Sequence, residues 1–140
     1  MNIPQALLLQ INGDPDSIAV VARRIEALAA DRGWPQRLVF DLNLAIDELV
    51  TNAFAHGLAG RPDAQITIRL QQRDDRIELE ILDNGIEFNP LAADAPDLDE
   101  GVEQRPVGGL GIHLVRQMMD QLCYQRVGDR NRIRALKRLR

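Results

Sequence analysis

The residues from Asp41 to His56 read DLNLAIDELVTNAFAH. Apolar side chains recur along them at helical spacing and Gly57 follows as a natural stop, so they predict an amphipathic helix. Glu48 and Asn52 are four residues apart and therefore lie one turn apart on one face of that helix. A carboxylate and a carboxamide can converge there on a single point.

The chemistry of this pair admits two interpretations. In the functional one, the side-chain oxygen of Asn52 and the oxygens of a phosphate group share a magnesium ion, which takes hard oxygen ligands and keeps several waters. Glu48 then orients or deprotonates an attacking hydroxyl group or water. In the alternative, both side chains lie on the solvated face of the helix. The pair alone favours this alternative, because the spacing is common in helices.

A second segment places a carboxylate at the end of a strand. Residues Arg76 to Asp83 alternate between polar and apolar side chains, which predicts a strand, and Asn84 and Gly85 follow. Asp83 can accept a hydrogen bond from an exocyclic amine such as that of adenine, while Gly85 lets the backbone approach a base closely. Asp-Asn-Gly is also a good turn sequence, so an ordinary loop is the alternative.

A third segment, from Gly108 to Gly111, puts glycines directly before a helical pattern. Backbone amides at such a helix start can hold phosphate oxygens. The segment matches neither a P-loop nor a complete dinucleotide-binding fingerprint, because Leu114 occupies the last glycine position of the latter. A flexible turn is the alternative here, and the three segments predict a nucleotide pocket only in combination.

In this order and spacing, the three segments resemble the N, G1 and G2 boxes of the GHKL (histidine-kinase-like) ATPase superfamily. Within it, the phrase GGLGIHLV, followed by MMD, looks especially like the bacterial anti-sigma-factor serine/threonine kinases. The resemblance covers nearly the whole chain. It implies an α+β fold, the Bergerat-type two-layer α/β sandwich, in which a mixed, mostly antiparallel sheet carries helices on one face.

The resemblance also implies roles for individual residues. Glu48 corresponds to the catalytic base, Asn52 to the residue that holds Mg2+, and Asp83 to the residue that recognises adenine. Contacts with the nucleotide, ATP, are implied for Asn52 and Asp83 and for three glycines: Gly85, Gly109 and Gly111.

Two stretches differ from the pattern of the superfamily. Glu87 stands where the G1 box usually has a second glycine, a position at which anti-sigma kinases often vary. The Gly-Thr pair that commonly precedes the final strand is absent, with Arg130-Asn131-Arg132 in its place. Contacts with base and phosphate from that strand are therefore not carried over to this chain.

The whole chain, residues 1–140, is predicted to form a single domain, since its length suits one core and is too short for two. The long irregular stretch 88–107 lies between the second and third segments, and it fits an ATP lid. The order of elements indicates α+β layers. Helices are expected at about residues 14–33, 35–56 and 111–121, and strands at 6–11, 65–72 and 76–83, followed by two closing strands.

Charge and composition limit the cellular location and the kinds of partner that we expect for this protein. A net charge of −4 argues against a nucleic-acid binder. The absence of a membrane-length apolar run and of a signal peptide predicts a cytoplasmic protein with no membrane contact. Cys123, the one cysteine, is expected to be a buried reduced thiol. The basic segment 126–140 is read as an edge strand protected by arginines, with a docking patch for an acidic partner as the alternative.

The resemblance implies an ATP-dependent serine/threonine protein kinase that acts as an anti-sigma factor. Such a kinase phosphorylates an antagonist protein, holds a sigma factor, and forms a homodimer. One alternative is a regulatory interaction module that binds nucleotide without phosphotransfer. Another is the catalytic fragment of a histidine kinase, which the missing upstream helix with a phosphoacceptor histidine disfavours.

Overall fold

The computed structural model describes residues 6–14, 16–92 and 109–139, and its helices and strands lie close to the expected ones. Local residues set several of their limits. The side chain of Asp14 accepts a hydrogen bond from the amide of Asp16 at 3.0 Å where the first helix begins, and Gly33 ends that helix with a φ of +71°. The elements are β1 (Ala6–Ile11), α1 (Asp16–Arg32), α2 (Gln36–Ala55), β2 (Ile66–Arg73), β3 (Arg76–Asp83), a 3-10 turn (Pro90–Ala92), α3 (Gly109–Met118), β4 (Gln121–Val127) and β5 (Arg130–Arg138).

The five strands form one sheet in the order β1-β2-β3-β5-β4, and each neighbouring pair is antiparallel. The turn between β2 and β3 has Asp74 at a φ of +54°, and the turn between β4 and β5 has Gly128 at +60°. Both residues lie in the left-handed region that tight hairpin turns use. In the register of the sheet, Asp83 at the end of β3 is the Cα partner of Asn131 near the start of β5.

The hydrophobic core lies between the helices and one face of the sheet. Alternate residues of β2 and β3, such as Ile68 and Leu79, are buried, and they belong to the same cluster as the buried face of α2. Leu42 and Leu49 of α2 are almost completely excluded from solvent. The predicted α+β fold, a two-layer sandwich with helices on one face, is confirmed.

The two closing strands, β4 and β5, correct two expectations. β5 lies between β3 and β4, so its arginines do not protect an edge; Arg132 instead pairs with Glu80 of β3 at 2.9 Å. Cys123 is exposed because β4 turns Leu122 and Tyr124 towards the interior. The prediction of a buried thiol was therefore wrong.

Helix α3 ends earlier than the sequence predicted. The helix stops at Met118, and Gln121 already pairs with Leu136 in the sheet. The amide of Asp120 donates to the carbonyl of Leu136 at 2.9 Å and starts this pairing. Most of the predicted lid, residues 88–107, lies outside the described residues.

A buried ion pair connects α2 to the sheet. Asp41 is almost fully buried, and its Oδ2 lies 3.3 Å from Nζ of Lys137 on β5. Lys137 also donates a hydrogen bond to the carbonyl of Met118, the last residue of α3. Both helices that flank the site described next are thus tied to the same strand.

Candidate nucleotide-binding site

The three segments singled out in the sequence meet in space. The loop that follows β3 touches the turn at the end of α2, and the first turn of α3 touches the middle of α2. Each contact is made at a glycine, where a side chain would collide with the neighbouring segment. One region of the molecule is therefore lined by Glu48, Asn52, Gly57, Gly85 and Gly111.

Gly85 shows how closely the backbones approach. A Cβ atom at this position would lie 2.4 Å from the carbonyl oxygen of Gly57. The same carbonyl accepts a hydrogen bond from the amide of Ile86 at 2.9 Å. Above this junction the rings of His56 and Phe88 stack with their centroids 4.6 Å apart. These contacts hold the loop after β3 against the end of α2.

Asp83 is 6% exposed and has two distinct oxygens. Its Oδ1 accepts hydrogen bonds from the amide of Gly85 at 2.8 Å and from Nδ2 of Asn131 at 2.9 Å. Within the part of the chain that the structure describes, no donor bonds to Oδ2. An oxygen of a buried carboxylate is costly to leave without a donor, so Oδ2 is a candidate acceptor for a ligand.

Asn52 is also 6% exposed, which excludes for this residue the solvated-face alternative. Its Nδ2 donates to the backbone carbonyl of Glu48 at 2.8 Å. This bond fixes the amide and leaves Oδ1 without a donor among the residues that the structure describes. Asn52 thus presents an oxygen ligand.

Glu48 is partly buried, and the loss of solvation raises the pKa of its carboxyl group; the neighbouring charge of Asp47 raises this pKa further. Its carboxylate lies against Gly111, where a Cβ atom would be 1.9 Å from Oε2 of Glu48. The candidate base therefore sits beside the first turn of α3. Gly109 begins that helix, so Gly109 and Gly111 lie in its first turn, whereas the sequence predicted glycines directly before the helix.

A model of the family described as "Histidine kinase-like ATPase domain" matches residues 11–137. The chain belongs to the histidine kinase-like ATPase domain family. The fold and the convergence of the three boxes are those expected of a member of this family.

Among curated proteins, the chain is similar to bacterial serine kinases. It is 27% identical over 120 residues to the serine-protein kinase RsbW of Listeria monocytogenes serovar 1/2a, covering 83% of this chain and 76% of that protein. It is 34% identical over 102 residues to the serine/threonine-protein kinase BtrW of Bordetella bronchiseptica, covering 73% and 72%. The resemblance to this kinase group, expected from the three boxes, is confirmed.

A solved structure supports the fold. The crystal structure of the RsbU and RsbW domains of a Mycobacterium tuberculosis protein superimposes with a TM-score of 0.64 at 13% identity. The match covers 96% of this chain and 32% of that one, so the chain spans about a third of that larger protein.

Sequence reasoning missed a group of residues beneath the loop after β3. Asn131 of β5 is 2% exposed, and it bonds to Asp83 and to the loop. Tyr124 and Arg126 of β4 bond to Asn131 in turn. One signal was available in the sequence. Asn131 is a polar residue two positions before Ile133, so it lies on the same, inward face of β5. Recognising its partners required the register between β3 and β5.

The donors present fit the magnesium ion that the family implies. Oδ1 of Asn52 is a buried, hard oxygen ligand, and magnesium accepts one or two protein oxygens beside phosphate oxygens and waters. In the described ranges 6–14, 16–92 and 109–139, no group of three or more His, Cys, Asp or Glu side chains can hold a metal by itself. Any magnesium here therefore depends on the nucleotide for most of its ligands.

None of the helices in the described part of the chain combines the length and apolar character that crossing a membrane requires.

Proposed function

We propose that this chain is an ATP-dependent serine/threonine protein kinase that acts as an anti-sigma factor and phosphorylates an antagonist protein. The observation that carries the proposal is the buried Asp83, whose Oδ1 is occupied and whose Oδ2 has no donor in the described part of the chain. The membership in an ATPase domain family and the similarity to serine kinases agree with it.

The base of ATP is recognised at the end of β3. The 6-amino group of adenine donates a hydrogen bond to Oδ2 of Asp83, which satisfies that buried oxygen. Guanine presents a carbonyl at the same position and leaves Oδ2 facing another acceptor. Gly85 keeps the wall of the site free of side chains, so that the base reaches the carboxylate.

The phosphates extend towards α2 and α3. Backbone amides at the start of α3, from Gly109 to Gly111, point their partial positive charge at phosphate oxygens. Oδ1 of Asn52 would hold Mg2+ together with those oxygens. When bound, the ion neutralises charge that develops during phosphoryl transfer.

Glu48 is the proposed catalytic base. Its raised pKa strengthens it as a proton acceptor, because a base works best when its pKa approaches the working pH. Its contact with Gly111 places the carboxylate beside the phosphate-binding turn. From there it orients the seryl or threonyl hydroxyl of the substrate protein and accepts its proton.

The partners follow from the same proposal. The antagonist protein is the phosphoryl acceptor. The kinase holds a sigma factor until the unphosphorylated antagonist displaces it, and it works as a homodimer in the cytoplasm. Neither nucleic acid nor a membrane is a direct partner. The net charge of −4 agrees with the exclusion of nucleic acid.

Phosphotransfer is tested by incubating the purified protein with γ-labelled ATP and with a cell extract of the organism that encodes this protein. The proposal predicts label on a protein as acid-stable phosphoserine or phosphothreonine, and loss of this label with Glu48→Gln although the variant still binds ATP. Acid-labile label would instead indicate a histidine kinase fragment. Binding of ATP without any transfer that depends on Glu48 would leave a nucleotide-binding interaction module.

A further inference from the structure

The side chain of Asn131 is hydrogen-bonded at both ends of its amide. Nδ2 donates to Oδ1 of Asp83 at 2.9 Å and to the carbonyl of Ile86 at 2.7 Å. Oδ1 accepts from the amide of Phe88 at 3.1 Å and also from Tyr124 and Arg126. The residue is 2% exposed, so these bonds have little competition from water.

The partners of Asn131 define the orientation of its amide. Both groups next to Nδ2 are acceptors, whereas the groups next to Oδ1 include the Phe88 amide and the Arg126 guanidinium, which only donate. A rotation of the amide by half a turn would oppose donors to donors and acceptors to acceptors. Asn131 therefore always presents a donor to Asp83.

This donor helps to fix the orientation of the Asp83 carboxylate, and thereby the direction in which its second oxygen points. The amide of Gly85 and Nδ2 of Asn131 together occupy Oδ1, so the plane of the carboxylate is fixed from two directions. Oδ2 then remains as the single acceptor for a base. Without Asn131, the carboxylate keeps only the hydrogen bond from Gly85, so its plane can rotate and the second oxygen is no longer held towards the base.

A second contact supports the loop from the same hairpin. Nη1 of Arg126 on β4 donates to the carbonyl of Gly85 at 2.9 Å and to Oδ1 of Asn131 at 3.1 Å. The hairpin formed by β4 and β5 thus holds both the carboxylate and the glycine that are proposed to contact adenine.

We propose that Asn131 is the positioning residue that sets the selectivity of this site for a 6-aminopurine, and that it acts through Asp83. This inference rests on the proposed function, because it presumes that Asp83 binds the base. Asn131 does not touch the reacting atoms. Its effect on selectivity acts through the hydrogen bond between Asp83 and the amino group of the base.

The test compares two nucleotides that differ only in that amino group: ATP and purine riboside 5′-triphosphate, which lacks it. Calorimetry gives the ratio of the two dissociation constants for wild type, Asn131→Ala, Asp83→Ala and the double variant. Loss of one hydrogen bond to a charged group predicts that Asn131→Ala lowers the preference for ATP by about tenfold. In the double variant the preference falls no further than in Asp83→Ala.

A merely structural role gives a different pattern. If Asn131 only stabilises the fold, Asn131→Ala weakens both nucleotides equally and the ratio stays at the wild-type value, which would overturn the inference. Tyr124→Phe is the matched control: it removes one bond to Oδ1 of Asn131 but leaves the donor to Asp83, so the ratio should not change.

A second variant covers the case in which Asn131→Ala does not fold. Asn131→Asp keeps the shape of the side chain but puts a second carboxylate oxygen 2.9 Å from Oδ1 of Asp83. The preference for ATP should fall, because an ionised carboxylate offers no donor to Asp83 and repels its charge. A preference equal to that of wild type would contradict the inference.

The two proposals fail separately. If wild type does not distinguish ATP from the analogue without the amino group, base recognition by Asp83 fails and the proposed function loses its main support. If wild type distinguishes them and the Asn131 variants do so equally well, only the positioning role is wrong.

Discussion

Replacing Gly111 with alanine should impair catalysis by this chain without impairing its folding. The Cβ atom that the Gly111→Ala change adds would lie 1.9 Å from Oε2 and 2.4 Å from Cδ of Glu48. Ordinary contact begins at 3.4 Å, so the carboxylate must move by about 1.5 Å. The atoms that clash belong to the far end of a flexible side chain, which can rotate away without moving either helix.

The size of the effect follows from this displacement. A misplacement of about 1 Å at a reacting group can reduce the rate by about 100-fold, so kcat should fall by about that factor. The free energy of unfolding should not fall, because alanine is favoured over glycine in a helix by about 0.5–1 kcal/mol. The variant should therefore fold well and transfer phosphate poorly.

The assay combines label transfer from γ-labelled ATP with urea denaturation and calorimetric titration of Mg-ATP. The titration separates loss of catalysis from loss of nucleotide binding, which a methyl group near the phosphates can also affect. Gly13→Ala is the matched control, since its Cβ atom would meet only Phe54 at the ordinary distance of 3.9 Å. A Gly111→Ala variant with wild-type kcat would refute the reasoning, and so would one that fails to fold.

Three further results are expected. Asp47→Asn lowers the pKa of Glu48 by removing a like charge, so the acid limb of the pH–rate profile shifts to lower pH; an unchanged limb would contradict this cause. Gly85→Ala puts a Cβ atom 2.4 Å from a backbone carbonyl that cannot rotate away, so urea titration should show a loss of about 2 kcal/mol, and wild-type stability would exclude the close approach. Lys137→Met removes the ammonium group from the buried Asp41 but leaves it the exposed guanidinium of Arg37, so the loss in the same assay should be about 2 kcal/mol; a loss below about 1 kcal/mol would show that the pair contributes little.

Elements with strong local signals could be predicted from the sequence. β1 and β3 have the expected limits, because a short apolar run defines β1, alternating side chains define β3, and turn residues follow each of them. The glycine at position 33 marks the end of α1 for a similarly local reason. The same holds for Glu48 and Asn52, whose spacing in one helix is enough to place them together.

Features that depend on pairing between distant residues could not be predicted. The end of α3 is determined by the pairing of Gln121 with Leu136, which no local pattern reveals. Leu122, Cys123 and Tyr124 are all apolar enough to face inwards, so the sequence did not reveal which of them β4 exposes. The role of Asn131 depends on the register that puts it opposite Asp83, 48 positions away in sequence.

The central claim is that Asp83 recognises the base of ATP, and calorimetric titration of wild type and Asp83→Asn with Mg-ATP and Mg-GTP tests it most directly. Circular dichroism confirms that the variant folds. The account predicts that wild type prefers Mg-ATP to Mg-GTP and that Asp83→Asn loses this preference. Equal affinity of wild type for both nucleotides, or no binding of either, would contradict it.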